Sequence, residues 1–373
     1  MSQANKRWDL EAMRGIAIVG VVLIHVLSMG IAAQYSDHAE WAGKVQAGAF
    51  PLVWLNAWAR FSVPVFLFIS GLLLTFRLQG KTLQYKTMLS KRVPALVLPY
   101  LFWTVLGLVM AWFIQGPWGV KDLVVTLLLG KGMFHQLYFI PLLLQLIILA
   151  PLWWKGLQWN PVKFTIIIAL LQLLYYVAYQ FNYMTSFRYL PAAIAKGWEI
   201  MIVPTFMGMM LYFIAGMAVG MHLDKVTQFI RRSSIAVFTF IYMVSLGITI
   251  IDVHFSFAAS SDLGNSLHFY RVSALVYACC SILWFWKLAL VAAEAAWMKV
   301  FVRLGKYAFF IFLAHVLILE GLKAIGSYWY SSYGMLFATY LLTMAACAGV
   351  YELGTRLTVQ HPSNKAVQMF LGK

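Results

Sequence analysis

The sequence predicts an all-α, polytopic transmembrane bundle of about ten helices. Three observations carry that reading. Hydrophobic residues make up 62% of the 373-residue chain and charged residues only 11%, where a soluble domain carries about 25% charged residues. The mean hydropathy is +0.80. Apolar runs of membrane-spanning length recur along the whole chain, separated by short loops that hold the Lys and Arg residues.

The first run, 13–34, follows Lys6 and Arg7 and so resembles a signal peptide at its flank. It is too long for an h-region and contains His25, so it reads as a retained first helix. The second run, 57–76, holds Pro64, expected to free a backbone carbonyl, and Ser70-Gly71, expected to allow close helix approach. The third is 93–114. The stretch 120–130 is apolar but short, and reads as an interfacial or re-entrant piece. Runs at 136–154, 161–181, 201–221, 234–254, 270–291, 305–325 and 333–355 complete ten spans. With no linker, repeat or appended soluble domain expected, residues 1–373 read as a single integral-membrane domain. Cys279, Cys280 and Cys347 all fall inside apolar runs, where they pack rather than form a disulfide framework.

The net charge of +16 does not signal nucleic acid, because the charges are spread over short loops rather than gathered on one face. They fix orientation instead. With the N-terminus in the cytoplasm, the outside set is Lys44, Arg60, Lys121, Lys131, Arg188, Lys196, Arg271 and Lys323. The other 20 of the 28 Lys and Arg fall inside. That bias predicts both termini in the cytoplasm.

The residues that could carry chemistry are the charged and titratable ones inside these runs, since such groups are costly in a membrane and mark function. Arg14 and His25 share the first run. Eleven positions apart, they lie on one helix face about 16 Å apart along the axis, Arg14 at the cytoplasmic edge and His25 deeper. Glu11, three residues before Arg14, can pair with it. The ninth run supplies His315 at a depth similar to His25, followed by Glu320. Two histidines at one depth could form a catalytic pair, a proton relay or, with Glu320, a metal site. Two His without a close third ligand point only weakly to metal, and none is expected. The basic loop after the second run, with Arg77, Lys81, Lys86, Lys91 and Arg92, could set topology or cradle a polyphosphate beside Arg14.

Taken in order, Glu11-x-x-Arg14-Gly15, His25, Pro64-Val65-Phe66-Leu67-Phe68-Ile69-Ser70-Gly71, Lys91-Arg92 before Pro99-Tyr100, Tyr138-Phe139 before Pro151, and Tyr307 to His315 resemble the acyltransferase-3 family of multi-pass bacterial membrane O-acyltransferases. The resemblance runs from the first span to the ninth. It implies ten helices in the cell membrane and a cytoplasmic acyl-coenzyme A donor, usually acetyl. It implies an acceptor hydroxyl on a cell-surface glycan or lipid-linked sugar. Acetyl-CoA would serve as co-substrate, with no permanently bound cofactor. Arg14 and His25 match the family's essential pair. Glu11 stands where the family often has Asp, Tyr138 where it often has Trp, and Ala308 where it often has Ser.

The expected chemistry follows. A thioester needs a nucleophile freed of its proton, and neutral imidazole is the natural base near pH 7. His25 could be that base or could itself carry the acyl group, with His315 as a second catalytic candidate. Glu11, Arg14, Lys91 and Arg92 would bind the donor. Ser70, Tyr138 and Glu320 are acceptor-side candidates. The outer loop 35–58, with Trp41, Trp54 and Trp58, offers rings that could stack on sugars or anchor at the interface. The rival reading is a proton-coupled transporter or exporter using Arg14, His25, His315 and Glu320 as a path. Repeated halves and paired broken helices are not visible in the sequence.

Overall fold

The computed structural model describes residues 7–35, 44–76, 78, 84–116, 119–130, 134–184, 205–260, 263–360, 367 and 370–372. Among them there is no strand. The helices are α1 (Trp8–Tyr35), α2 (Lys44–Ala59), α3 (Ser62–Phe76), α4 (Tyr85–Gln115), α5 (Val120–Leu129), α6 (Phe139–Ile148), α7 (Ala150–Trp159), α8 (Pro161–Met184), α9 (Met210–Met221), α10 (Leu223–Arg232), α11 (Ile235–Ser260), α12 (Leu263–Ser266), α13 (Val272–Val291), α14 (Ala296–Ile325) and α15 (Tyr333–Gln360).

Among the described residues eight spans are long and apolar enough to cross a membrane, or nine if the bent pair α6–α7 is counted as one. The protein is therefore a multi-pass membrane protein. Of the expected run 201–221, the described part is 205–221, a 3-10 turn Phe206–Gly208 followed by the 12-residue helix α9, short for a full crossing. The expected span 136–154 is not straight: α6 and α7 meet at 51° across Leu149. The piece at 120–130 forms α5, ten residues long and too short to span. Outward faces of α8, α11 and α15 expose Leu174, Phe240 and Phe337, as hydrocarbon solvent allows when the backbone is satisfied within each helix.

Two helix pairs set the centre of the bundle, α1 with α14 and α3 with α9. Both pairs depend on glycines that let backbones touch. A Cβ on Gly15 would strike the carbonyl of Phe301, and one on Gly305 would strike the carbonyl of Glu11. Gly71 and Gly216 make the reciprocal arrangement against Phe213 and Phe68. This is the small-residue packing that drives helix association in lipid, and it realises the close approach expected at Ser70-Gly71. Pro64 does not kink a helix. It stands in the first turn of α3, where its missing N–H has no intrahelical partner to lose.

The start of α1 is pinned by polar contacts. Arg7 holds Asp9 through two hydrogen bonds of 2.9 and 2.7 Å, and Trp286 Nε1 on α13 donates to the same carboxylate at 2.9 Å. At the same end Arg303 on α14 pairs with Glu352 on α15 at 2.6 Å, and the Tyr307 hydroxyl donates to that carboxylate.

The region 35–58 differs from the expected loop. Residues 44–59 are helix α2, Trp41 lies outside the described residues, Trp54 stacks on Phe50, and Trp58 Nε1 donates to the Tyr242 hydroxyl at 2.8 Å. Arg60, counted with the outer loops, instead occupies the break between α2 and α3, inside the span Gly48–Phe76. Arg77 and Lys81 lie outside the described residues. The three cysteines are free thiols within helices, Cys347 buried and the other two half-buried.

Candidate active site

A cavity of about 480 Å³ runs along α1, walled by α1, α3, α4, α6 and α14. One end is basic, with Arg14, Lys91, Arg92 and Lys306 on its walls. Its middle is apolar, through Phe66, Leu143, Ile147, Phe309 and Phe312. Its deep end carries His25, Gln136 and Tyr138, while Ser70 lines it one turn of α3 from Leu73, whose carbonyl Arg92 contacts. The helical repeat places Arg14 and His25 on one face of α1, so a single helix supplies both ends of the wall.

At the basic end Arg14 pairs with Glu11 at 3.4 Å. The second carboxylate oxygen of Glu11 is buried with no hydrogen-bond partner. Arg92 donates weakly to the Leu73 carbonyl at 3.5 Å, which ties α4 to α3, and Lys91 beside it is exposed. Lys306 on α14 joins this group, about two and a half turns before His315.

Three histidines meet at the deep end. His135, in the 3-10 turn His135–Tyr138 that leads into α6, places Nε2 at 3.0 Å from Nδ1 of His25. The His315 ring centroid is 5.0 Å from that of His25. His315 Nδ1 donates to the Ile311 carbonyl at 2.8 Å, so its Nε2 is the unprotonated nitrogen, and that atom is buried without a partner. The turn carrying His135 is fixed to α14 by Gln136, whose amide donates to the Leu313 carbonyl at 3.3 Å. Among the described residues no group of three or more His, Cys, Asp or Glu is placed to hold a metal ion.

The sequence-derived candidates divide clearly. Arg14, His25, Ser70, Lys91, Arg92 and Tyr138 line one cavity, Glu11 holds Arg14, and His315 packs on His25. The Ser70 hydroxyl is already engaged, donating to the Phe66 carbonyl at 2.7 Å. Glu320 is the exception. Five residues past His315, it is turned about 140° around the helix, pairs with Lys323 at 3.9 Å and takes no part in the cavity wall.

His135, Gln136, Lys306 and Arg60 were not singled out as site residues from the sequence, where Arg60 was counted only for topology. His135 sits in a short non-helical turn, where no periodicity assigns it a face. A histidine immediately before an apolar run and three residues from Tyr138 was the available signal.

The chain resembles a described family over most of its length: residues 7–352 match the family model for an acyltransferase domain. No curated relative and no solved structure matches the chain.

Proposed function

The chain belongs to the acyltransferase-3 family of membrane acyltransferases, and on that premise we propose that it moves an acyl group, acetyl by default, from cytoplasmic acyl-coenzyme A to a hydroxyl of a cell-surface glycan or lipid-linked sugar. The observation that carries this reading is the continuous cavity joining the cations at Arg14 to the imidazole of His25. A donor with a polyphosphate head and a long narrow arm ending in a thioester matches a basic mouth, an apolar throat and a base at the bottom.

Arg14, Lys91, Arg92 and Lys306 hold the phosphates, Arg through its planar fork and Lys as mobile point charges. Glu11 keeps the Arg14 guanidinium in place before the donor arrives. The apolar throat excludes water from the thioester, which limits hydrolysis.

His25 takes the proton of the acceptor hydroxyl as that oxygen attacks the thioester carbonyl carbon. The tetrahedral intermediate collapses with cleavage of the carbon–sulfur bond. The leaving thiolate recovers the proton from the imidazolium, so the products are acylated acceptor and free coenzyme A. His135 positions His25 by engaging Nδ1, which leaves Nε2 for the reacting hydroxyl. Tyr138, on the wall beside His25, is placed to contact the acceptor or the developing oxyanion.

The test is acceptor-dependent thiol release from acetyl-coenzyme A by purified protein with a panel of candidate glycans. Release that requires a glycan and transfers the acetyl group to it supports the reading. Coenzyme A failing to bind the wild-type protein overturns it.

A further inference from the structure

Arg60 is a cation in the interior of the bundle with no counter-ion among the described residues. It occupies the break between α2 and α3, half-buried. Its Nε donates to Asn56 Oδ1 at 3.0 Å. Asn56 is itself buried and clamped to α1, its amide donating to the Ile24 carbonyl and to Ser28 Oγ, both at 3.1 Å. The guanidinium lies over the Phe269 ring at 4.8 Å. Among the described residues no carboxylate pairs with it, and neither Nη makes a hydrogen bond to a protein group.

This arrangement is costly. A guanidinium at membrane depth is rare and is retained where it serves a pathway or ligand. Here one edge is held rigidly, one turn of α1 from the catalytic imidazole, while the bidentate fork of Nη1 and Nη2 is left unused. Arg60 also lies close enough to act electrostatically on both His25 and Tyr138. Yet it is not a wall of the donor cavity, whose cations are gathered at the opposite end. The unused fork therefore adjoins the deep end of the site, away from the donor's phosphates.

We propose that Arg60 is an oxyanion-recognition residue of the acceptor site, so that the acceptor carries a phosphate or carboxylate near the hydroxyl it presents to His25. This rests on the acyl-transfer reading and adds the chemical class of the acceptor. A planar fork matches either oxyanion in bidentate fashion, and Phe269 beneath it shields one face from competing water. The two sources of that chemistry are an isoprenoid diphosphate carrier and an acidic sugar.

The experiment uses the full chain in lipid nanodiscs with coenzyme A saturating, so that the basic mouth is occupied. Binding of farnesyl diphosphate, glucuronate and neutral glucose is measured for the wild type, Arg60→Gln and Arg60→Lys. At least one anion should bind the wild type and lose roughly 10- to 150-fold in affinity in Arg60→Gln, the range for a charge-assisted pair. Arg60→Lys should lose less, and glucose should be indifferent to either change. Loss confined to farnesyl diphosphate identifies a lipid phosphate, and loss confined to glucuronate a sugar carboxylate. Neither anion binding the wild type, or both binding Arg60→Gln equally well, overturns the inference. Coenzyme A affinity in the same preparations separates the two levels. Its absence in the wild type defeats the acyl-transfer reading, whereas its retention without Arg60-dependent anion binding defeats only this one.

Discussion

Nε2 of His135 lies 3.0 Å from Nδ1 of His25, linking the turn before α6 to the middle of α1. A ring nitrogen engaged on one side fixes which nitrogen is left for chemistry on the other. In the proposed mechanism His135 thus acts on the reaction through His25.

Removing that contact should slow turnover without affecting the donor. His135→Ala is expected to lower kcat about 2- to 12-fold, the value of one hydrogen bond of ordinary strength, with the KM for acetyl-coenzyme A unchanged. His135→Gln keeps an amide oxygen that can accept from His25 Nδ1–H and should recover part of the loss. A rise in KM with kcat unchanged would assign His135 to donor binding instead.

Charge removal at the mouth should do the opposite. Arg14→Gln, or Lys91→Gln with Arg92→Gln, should weaken coenzyme A binding roughly 10- to 150-fold, from about 1.5–3 kcal/mol per charge-assisted bond to phosphate. Equilibrium binding to purified protein checks this. Unchanged affinity in both variants would reduce these residues to setting topology.

The glycine contacts make a stability prediction. Gly15→Ala and Gly305→Ala each place a Cβ against a backbone carbonyl of the neighbouring helix, so α1 and α14 must separate. Overpacking of this kind costs about 1–3 kcal/mol, read as a lower thermal midpoint in detergent. Gly247→Ala meets nothing within 4 Å and serves as the control, with a midpoint at or above wild type. A Gly15→Ala midpoint equal to wild type would contradict the packing described here.

Glu320→Gln should leave acyl transfer within about twofold of wild type, because Glu320 faces Lys323 and does not line the cavity. A large loss of activity would return Glu320 to the acceptor site.

Much of this was legible in the sequence, because helical periodicity converts spacing into geometry. Arg14 and His25 were placed on one face by their separation alone, and His315 was matched to His25 by depth alone. Periodicity fails where a helix breaks. The α2–α3 break at Arg60 and the turn at His135 both fall between regular segments, so neither residue could be assigned a face. Glu320 shows the complementary limit: it shares a helix with His315, but five residues of rotation carry it to another side. The bend at Leu149 falls inside one apolar run, and Pro151 in the first turn of α7 was the available signal.

The central claim is that His25 is the base of acyl transfer at the bottom of a donor cavity whose mouth is Arg14. The most direct measurement is acceptor-dependent thiol release by purified His25→Ala, with coenzyme A affinity determined on the same preparation. The account predicts no transfer and coenzyme A affinity near wild type, since His25 lies about 16 Å along α1 from Arg14, too deep to touch the phosphates. Transfer at the wild-type rate would contradict it.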